Sequence, residues 1–154
     1  MSAPFVAASR QTYHRRRVGR IALLAAGSAA AWAALRWRPF RVEVAGSSMA
    51  PALHPGDWAL AVRGGPIRKG DVVVVRHPDR PAREMVKRVT GTPGEEVHPG
   101  RTLGRDEWFV VGDNAEASTD SRTLGPVPRS AIVGRVRFVY WPPDRWGSPD
   151  RTRE

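Results

Sequence analysis

Two short stretches of this chain carry side chains that could together break an amide bond. The first, Gly46-Ser47-Ser48-Met49-Ala50-Pro51, holds two serines after a short β-type run and before an apolar Met and a Pro. A Gly-Ser-Ser stretch is ordinarily only a turn. In this setting it can instead present one hydroxyl on a sharp bend beside backbone N–H groups, which is what acyl transfer requires. A serine hydroxyl is a weak nucleophile at neutral pH and needs a base. The second stretch, Met85-Val86-Lys87-Arg88-Val89, can supply one. In a strand Lys87 shares a face with Met85 and Val89, whereas Arg88 lies with Val86 and Thr90 and can reach solvent. An ordinary edge-strand lysine fits the same pattern. If the face is buried, however, desolvation disfavours the ammonium and leaves a neutral amine able to take a proton.

A third stretch, Gly112-Asp113-Asn114 followed by Ser118-Thr119-Asp120-Ser121-Arg122, reads by itself as a polar turn with an Asx cap. Read for chemistry, it offers a hydroxyl at Ser118 to hold the lysine amine. It also offers a bidentate Asp120–Arg122 pair to brace the site without joining in bond breaking. The turns Gly56-Asp57 and Gly70-Asp71 each open a strand and are taken as structural. His14, His54, His77 and His98 are scattered, without metal-ligand spacing or a place beside the serines, and no metal or cofactor is expected. There is no cysteine, which excludes disulfides and thiolate metal sites.

The elements that would position these groups are mostly strands. From Arg41 onward short β-type runs alternate with Gly and Pro: Val42–Ala45, Trp58–Val62, Val72–His77, Glu84–Gly91, Glu107–Val111 and Ile132–Trp141. Four consecutive valines, Val72 to Val75, read as a buried strand. The expected fold is mainly β, a single barrel-like or sandwich domain over residues 42–147, with a polar tail at 148–154. Trp141, Pro142, Pro143 and Trp146 fit either an apolar edge resting on a bilayer or a plug closing the β core.

Before this domain the composition changes. Residues 1–41 hold eight arginines and no acid, leaving 17 basic and 15 acidic residues in 42–154, so most of the net charge of +10 lies near the N-terminus. That placement argues against a nucleic-acid partner. Ile21 to Leu35 is free of charge, and as a helix it spans about 22 Å against a hydrocarbon core of about 30 Å. A cleavable secretory signal, an Ala-rich core helix and a retained membrane anchor all fit it. The anchor reading takes residues 18–37, with Arg20 and Arg36 snorkelling outward, after a basic segment 1–17. Five arginines before the apolar run and three soon after it place the N-terminus on the cytoplasmic side and the β domain on the outer face of the cell membrane.

Taken in order, GSSMAPAL, GDVVVV, VKRVTGTPGE and GDNAEASTDSR…GPVP resemble the boxes of type I signal peptidases. The resemblance covers about Val44 to Val136. It implies a Ser–Lys dyad serine endopeptidase on a β fold shared with LexA-like autoproteases, cutting precursor proteins after small residues at Ala-x-Ala-like sites. It implies Ser48 as nucleophile, Lys87 as base, and Ser118, Asp120 and Arg122 as supporting residues. Some members use a serine two positions before the nucleophile as an oxyanion donor; Gly46 stands there, so backbone N–H groups, that of Ser48 among them, would hold the oxyanion. Two further departures are Ala52, where Thr is usual, and Ala115, where Arg is usual. Only 24 residues separate Lys87 from Gly112, too few for the extra β domain of large members, so the chain is similar to the compact bacterial and mitochondrial inner-membrane forms. A dedicated maturation protease, like those that trim nickel superoxide dismutase precursors, carries the same boxes. A non-catalytic, membrane-tethered β module is the reading from a different class, and it would not require Ser48 and Lys87 together. The boxes leave the oligomeric state open.

Overall fold

Val72 to Val75 lie at the centre of the one large sheet. The computed structural model describes residues 38–149, so the expected basic segment 1–17, the expected anchor over 18–37 and the tail from 150 onward lie outside the described residues. Among the described residues no helix is long and apolar enough to cross a membrane. The elements in chain order are β1 (Pro39–Glu43), β2 (Trp58–Val62), β3 (Val72–His77), β4 (Arg80–Gly91), β5 (Glu96–His98), β6 (Arg101–Thr102), β7 (Glu107–Val111), α1 (Ser121–Leu124), β8 (Val127–Pro128) and β9 (Ile132–Trp141), with short 3-10 turns at Arg129–Ala131 and Pro143–Arg145. The mainly β expectation therefore holds. Seven strands form one antiparallel sheet in the order β1-β2-β9-β3-β4-β7-β8, and β5 and β6 form a separate hairpin.

All four valines of β3 are buried because each face of the sheet carries its own core. Val72 and Val74 pack with Val44, Met49, Leu53, Ala59, Ala61, Val133, Val136 and Val139. Val73 and Val75 pack on the opposite face with Ile67, Val89, Val110, Val127 and Ile132. An antiparallel strand covered on both sides loses the hydrophobic–polar alternation of a half-buried strand and reads as a continuous apolar run.

Two strand boundaries differ from expectation. β1 starts at Pro39 and stops at Glu43, since Phe40 and Val42 are the side chains that pack on the core. Val44 then bonds the turn at Gly56-Asp57 instead of continuing the ladder. β4 begins four residues early, at Arg80, because pairing with β3 extends to Arg76↔Glu84 and His77↔Arg80. Pro149, in the expected tail, is buried, and its carbonyl accepts from Arg88 Nη2 at 3.3 Å.

Candidate active site

Register fixes where the lysine points. Lys87 pairs with Val73 across β3 and β4, and cross-strand partners share a face, so its side chain enters the side of the sheet held by Val73, Val75 and Val89. Only 3 % of Lys87 is exposed. Its Nζ lies 2.8 Å from Ser48 Oγ, so the two side chains separated by 39 positions in the chain are hydrogen-bonded. Burial pushes the Lys87 ammonium below its ordinary pKa; Asp120 works to raise it, and the like charges of Arg122 and Arg83 depress it further.

Ser48 sits in the loop after β1, and three contacts determine where that loop runs. Met49, the next residue, is buried in the core beside Leu53. The Ser48 carbonyl accepts from the Asn114 N–H at 3.0 Å. Gly112 lies so close that a Cβ there would come within 2.5 Å of the Ser48 carbonyl oxygen and also strike Ser118. The Ser48 N–H has no acceptor among the described residues. Ser47 is exposed and, among the described residues, makes no side-chain hydrogen bond.

Asp120 organises the other side. It caps α1 by accepting from the Arg122 N–H and is 1 % exposed. Its carboxylate also accepts from Arg122 Nε at 2.9 Å and Nη2 at 2.6 Å, from the Gly112 N–H at 2.8 Å and from the Ser118 hydroxyl at 2.5 Å. Burial alone would raise its pKa. The Arg122 side chain, with the Gly112, Ser118 and Arg122 donors, outweighs that and holds the carboxyl well below the usual range. The expected Asp120–Arg122 fork is therefore present. Ser118, expected to hold the lysine amine, donates to Asp120, and among the described residues no hydrogen bond joins it to Lys87.

The two halves are joined by pairs that the sequence did not announce. Arg88, expected to face solvent, is half-buried, and its guanidinium forks onto Asp113 with two 2.8 Å bonds. Asp57, in a turn taken as structural, is buried and meets Arg145 at 2.9 Å; its carboxylate also accepts from the His54 N–H. Arg145 reaches the Ala52 carbonyl at 3.4 Å as well, tying the turn after β9 to the loop that follows Ser48. Asp57 had a signal, since an Asp after Gly in a strand-opening turn can turn inward. Arg145 had none, being one arginine among many. Gly46, the other expected supporting residue, lies exposed with open space around it.

Ser48 and Lys87 open onto a groove of about 300 Å³. Residues 43–49 form one wall and residues 83–87 the other, with His77, Ala117 and Thr119 completing the lining. β4 pairs with β7 only at Arg88, Val89 and Gly91, so residues 83–87 face the groove with an unpaired backbone edge. A buried amine touching a hydroxyl, beside a free N–H and an open strand edge, can carry out acyl transfer on an extended peptide. No group of His, Asp or Glu among the described residues could hold a metal.

The chain belongs to the signal peptidase family, peptidase S26, whose family model matches residues 15–100 and 97–141. It is a serine peptidase. Over 122 residues it is 39% identical to the mitochondrial ATP-independent inner membrane protease subunit 1a of Arabidopsis thaliana, covering 69% of this chain and 73% of that one. It is 32% identical over 124 residues to the mitochondrial inner membrane protease subunit 2 of Saccharomyces cerevisiae, covering 69% and 70% of the two chains. Subunit 1 from Xenopus tropicalis is 35% identical over 119 residues, covering 69% and 71%.

Proposed function

We propose that the chain is a membrane-held endopeptidase that cleaves leader segments from precursor proteins after small residues, with Ser48 as nucleophile and Lys87 as general base. The observation that carries this reading is the 2.8 Å bond between Ser48 Oγ and the buried, charge-disfavoured Lys87 amine. With Lys87 neutral, its lone pair takes the Ser48 hydroxyl proton as Oγ attacks the substrate carbonyl. The Ser48 N–H holds the oxyanion. Lys87, now an ammonium, gives its proton to the departing amine, and the neutral amine then activates the water that releases the acyl group. Asp120, held by Ser118, Gly112 and Arg122, fixes the loop against which Ser48 rests.

The substrate enters as an added strand between Val44–Gly46 and the free edge of residues 83–86, backbone against backbone. Val44, Ala45, Met85 and Val86 line the groove beside the dyad, an apolar setting that suits small side chains such as Ala. The apolar run 21–35 is the anchor, and the arginines around it keep the N-terminus inside and the site outside. The names of the relatives, which are inner membrane proteases, favour a membrane setting. Trp141 and Trp146, 54 % and 63 % exposed, favour the bilayer-edge reading over a core plug.

The test is cleavage of a peptide with an Ala-x-Ala site by the detergent-solubilised chain beside Ser48→Ala and Lys87→Ala. Activity of the parent should vanish in both variants. Cleavage surviving either substitution would remove the dyad.

A further inference from the structure

Among the charged side chains of β4 to which the proposed chemistry gives no task, Arg83 is the basic one that lines the groove with Ser48 and Lys87. Alternate strand residues share a face, so Arg83 points the same way as Met85 and Lys87, about 13 Å upstream of the lysine along the strand. Its charge is felt at the Lys87 amine, which is consistent with a guanidinium turned along the groove. The other arginines around the site are engaged: Arg88 with Asp113, Arg122 with Asp120 and Arg145 with Asp57. Arg83 is exposed and, among the described residues, forms no hydrogen bond or ion pair. A lone cation on an otherwise unpaired strand edge is placed to read a substrate side chain. Glu84 and Glu43 also line the groove, Glu84 alternating with Arg83 along β4 and Glu43 belonging to the opposite wall. Their charges disfavour an acid at neighbouring positions and confine any acidic preference to the residue that meets Arg83.

We propose that Arg83 is a specificity residue that pairs with an Asp or Glu side chain of the substrate four or five residues before the bond that is cut. The proposal rests on the reading above, in which the groove holds the segment preceding that bond. Laid parallel to β4, an extended substrate advances at the same rise per residue, so a residue four or five positions before the bond comes level with Arg83. The enzyme would then favour leaders in which an acid precedes the small residues at the cleavage site.

The experiment uses the full chain in detergent and peptides with one Ala-x-Ala site, carrying Ala, Asp or Lys singly at the fourth, fifth or sixth residue before the bond. The quantity read is the ratio of kcat/KM for the Asp and Ala peptides within each enzyme. The parent should favour Asp about two- to fivefold at the fourth or fifth position, the range for an exposed ion pair. Arg83→Gln should bring the ratio to about one, and Arg83→Glu should transfer the preference to Lys. Raising the salt to about 1 M should shrink the parent's preference, because screening is then nearly complete over a few ångströms. Equal ratios in the parent and Arg83→Glu, with cleavage still dependent on Ser48, would overturn this proposal alone. If the all-Ala peptide is not cut, or is cut equally by Ser48→Ala, the dyad reading and this proposal fall together.

Discussion

Lys87 and Asp120 are both buried and ionisable, yet their surroundings favour the neutral form of one and the charged form of the other. Lys87 has one hydroxyl as its hydrogen-bond partner and is pushed toward the neutral form by burial, whereas Asp120 has five donated bonds and stays ionised. Asp120→Asn removes the charge that raises the Lys87 pKa and leaves Arg122 uncompensated beside it. The half-point of the acid limb of kcat/KM should therefore move to lower pH, measured as a pH–rate profile. The same substitution acts on stability with its own sign. A carboxyl whose folded pKa is depressed contributes stability that is present above its unfolded value of about 4 and lost as pH falls below it. Asp120→Asn should lose about 2 kcal/mol at neutral pH in denaturant unfolding, the scale of hydrogen bonds to a charged group, and this deficit should shrink on acidification below about pH 4. Ser48, Lys87 and the Asp120–Arg122 fork were legible because each lay in a short run of unusual composition. Arg145 and the engagement of Arg88 were not, since nothing local marks which of many arginines meets a carboxylate far along the chain.

At the scale of elements, the serine loop depends on the loop after β7. Gly112 donates to Asp120 and crowds the Ser48 carbonyl, while Asn114 donates to that same carbonyl. Gly112→Ala places a methyl where backbone already lies, so the Ser48 loop must shift. A displacement of even 1 Å in a reacting group costs up to about a hundredfold. The variant should lose at least tenfold in kcat with little change in KM; parent-like kcat would show that the loop tolerates the shift. β2, β3, β7 and β9 were readable to the residue because runs of β-branched and aromatic side chains end at Gly, Pro or Asp turns. β5, β6 and β8 were not, being two or three residues long and held by pairing rather than composition. The outer part of β4 escaped for a related reason, as Arg80 to Glu84 are all exposed and leave no apolar pattern.

For the molecule as a whole, the charge excess and the exposed aromatics bear on the same question. The excess of arginine surrounds one apolar run, and the described domain exposes Leu60, Trp141 and Trp146. Leu60 pairs with Phe138 and Trp58 with Trp141 across β2 and β9, and Phe138 meets Trp146 edge-to-face at 5.7 Å, so these side chains form one apolar surface. Aromatic residues of this kind favour the membrane interface. In the full chain reconstituted into vesicles containing brominated lipid, tryptophan fluorescence should be quenched. Trp141→Phe and Trp146→Phe should each remove part of the quenched signal; a loss of unquenched signal only would mean that this surface faces water.

The central claim is that a neutral Lys87 activates Ser48, and it is tested most directly by acylation. The full chain would be exposed to an activated ester of a small acyl group at a series of pH values, and the mass added to Ser48 followed with time. The account predicts one acyl group on Ser48, with a rate that rises to a plateau at a half-point below the ordinary lysine value and is lost in Lys87→Ala. Acylation at another residue, or of Ser48 at an undiminished rate without Lys87, would contradict it.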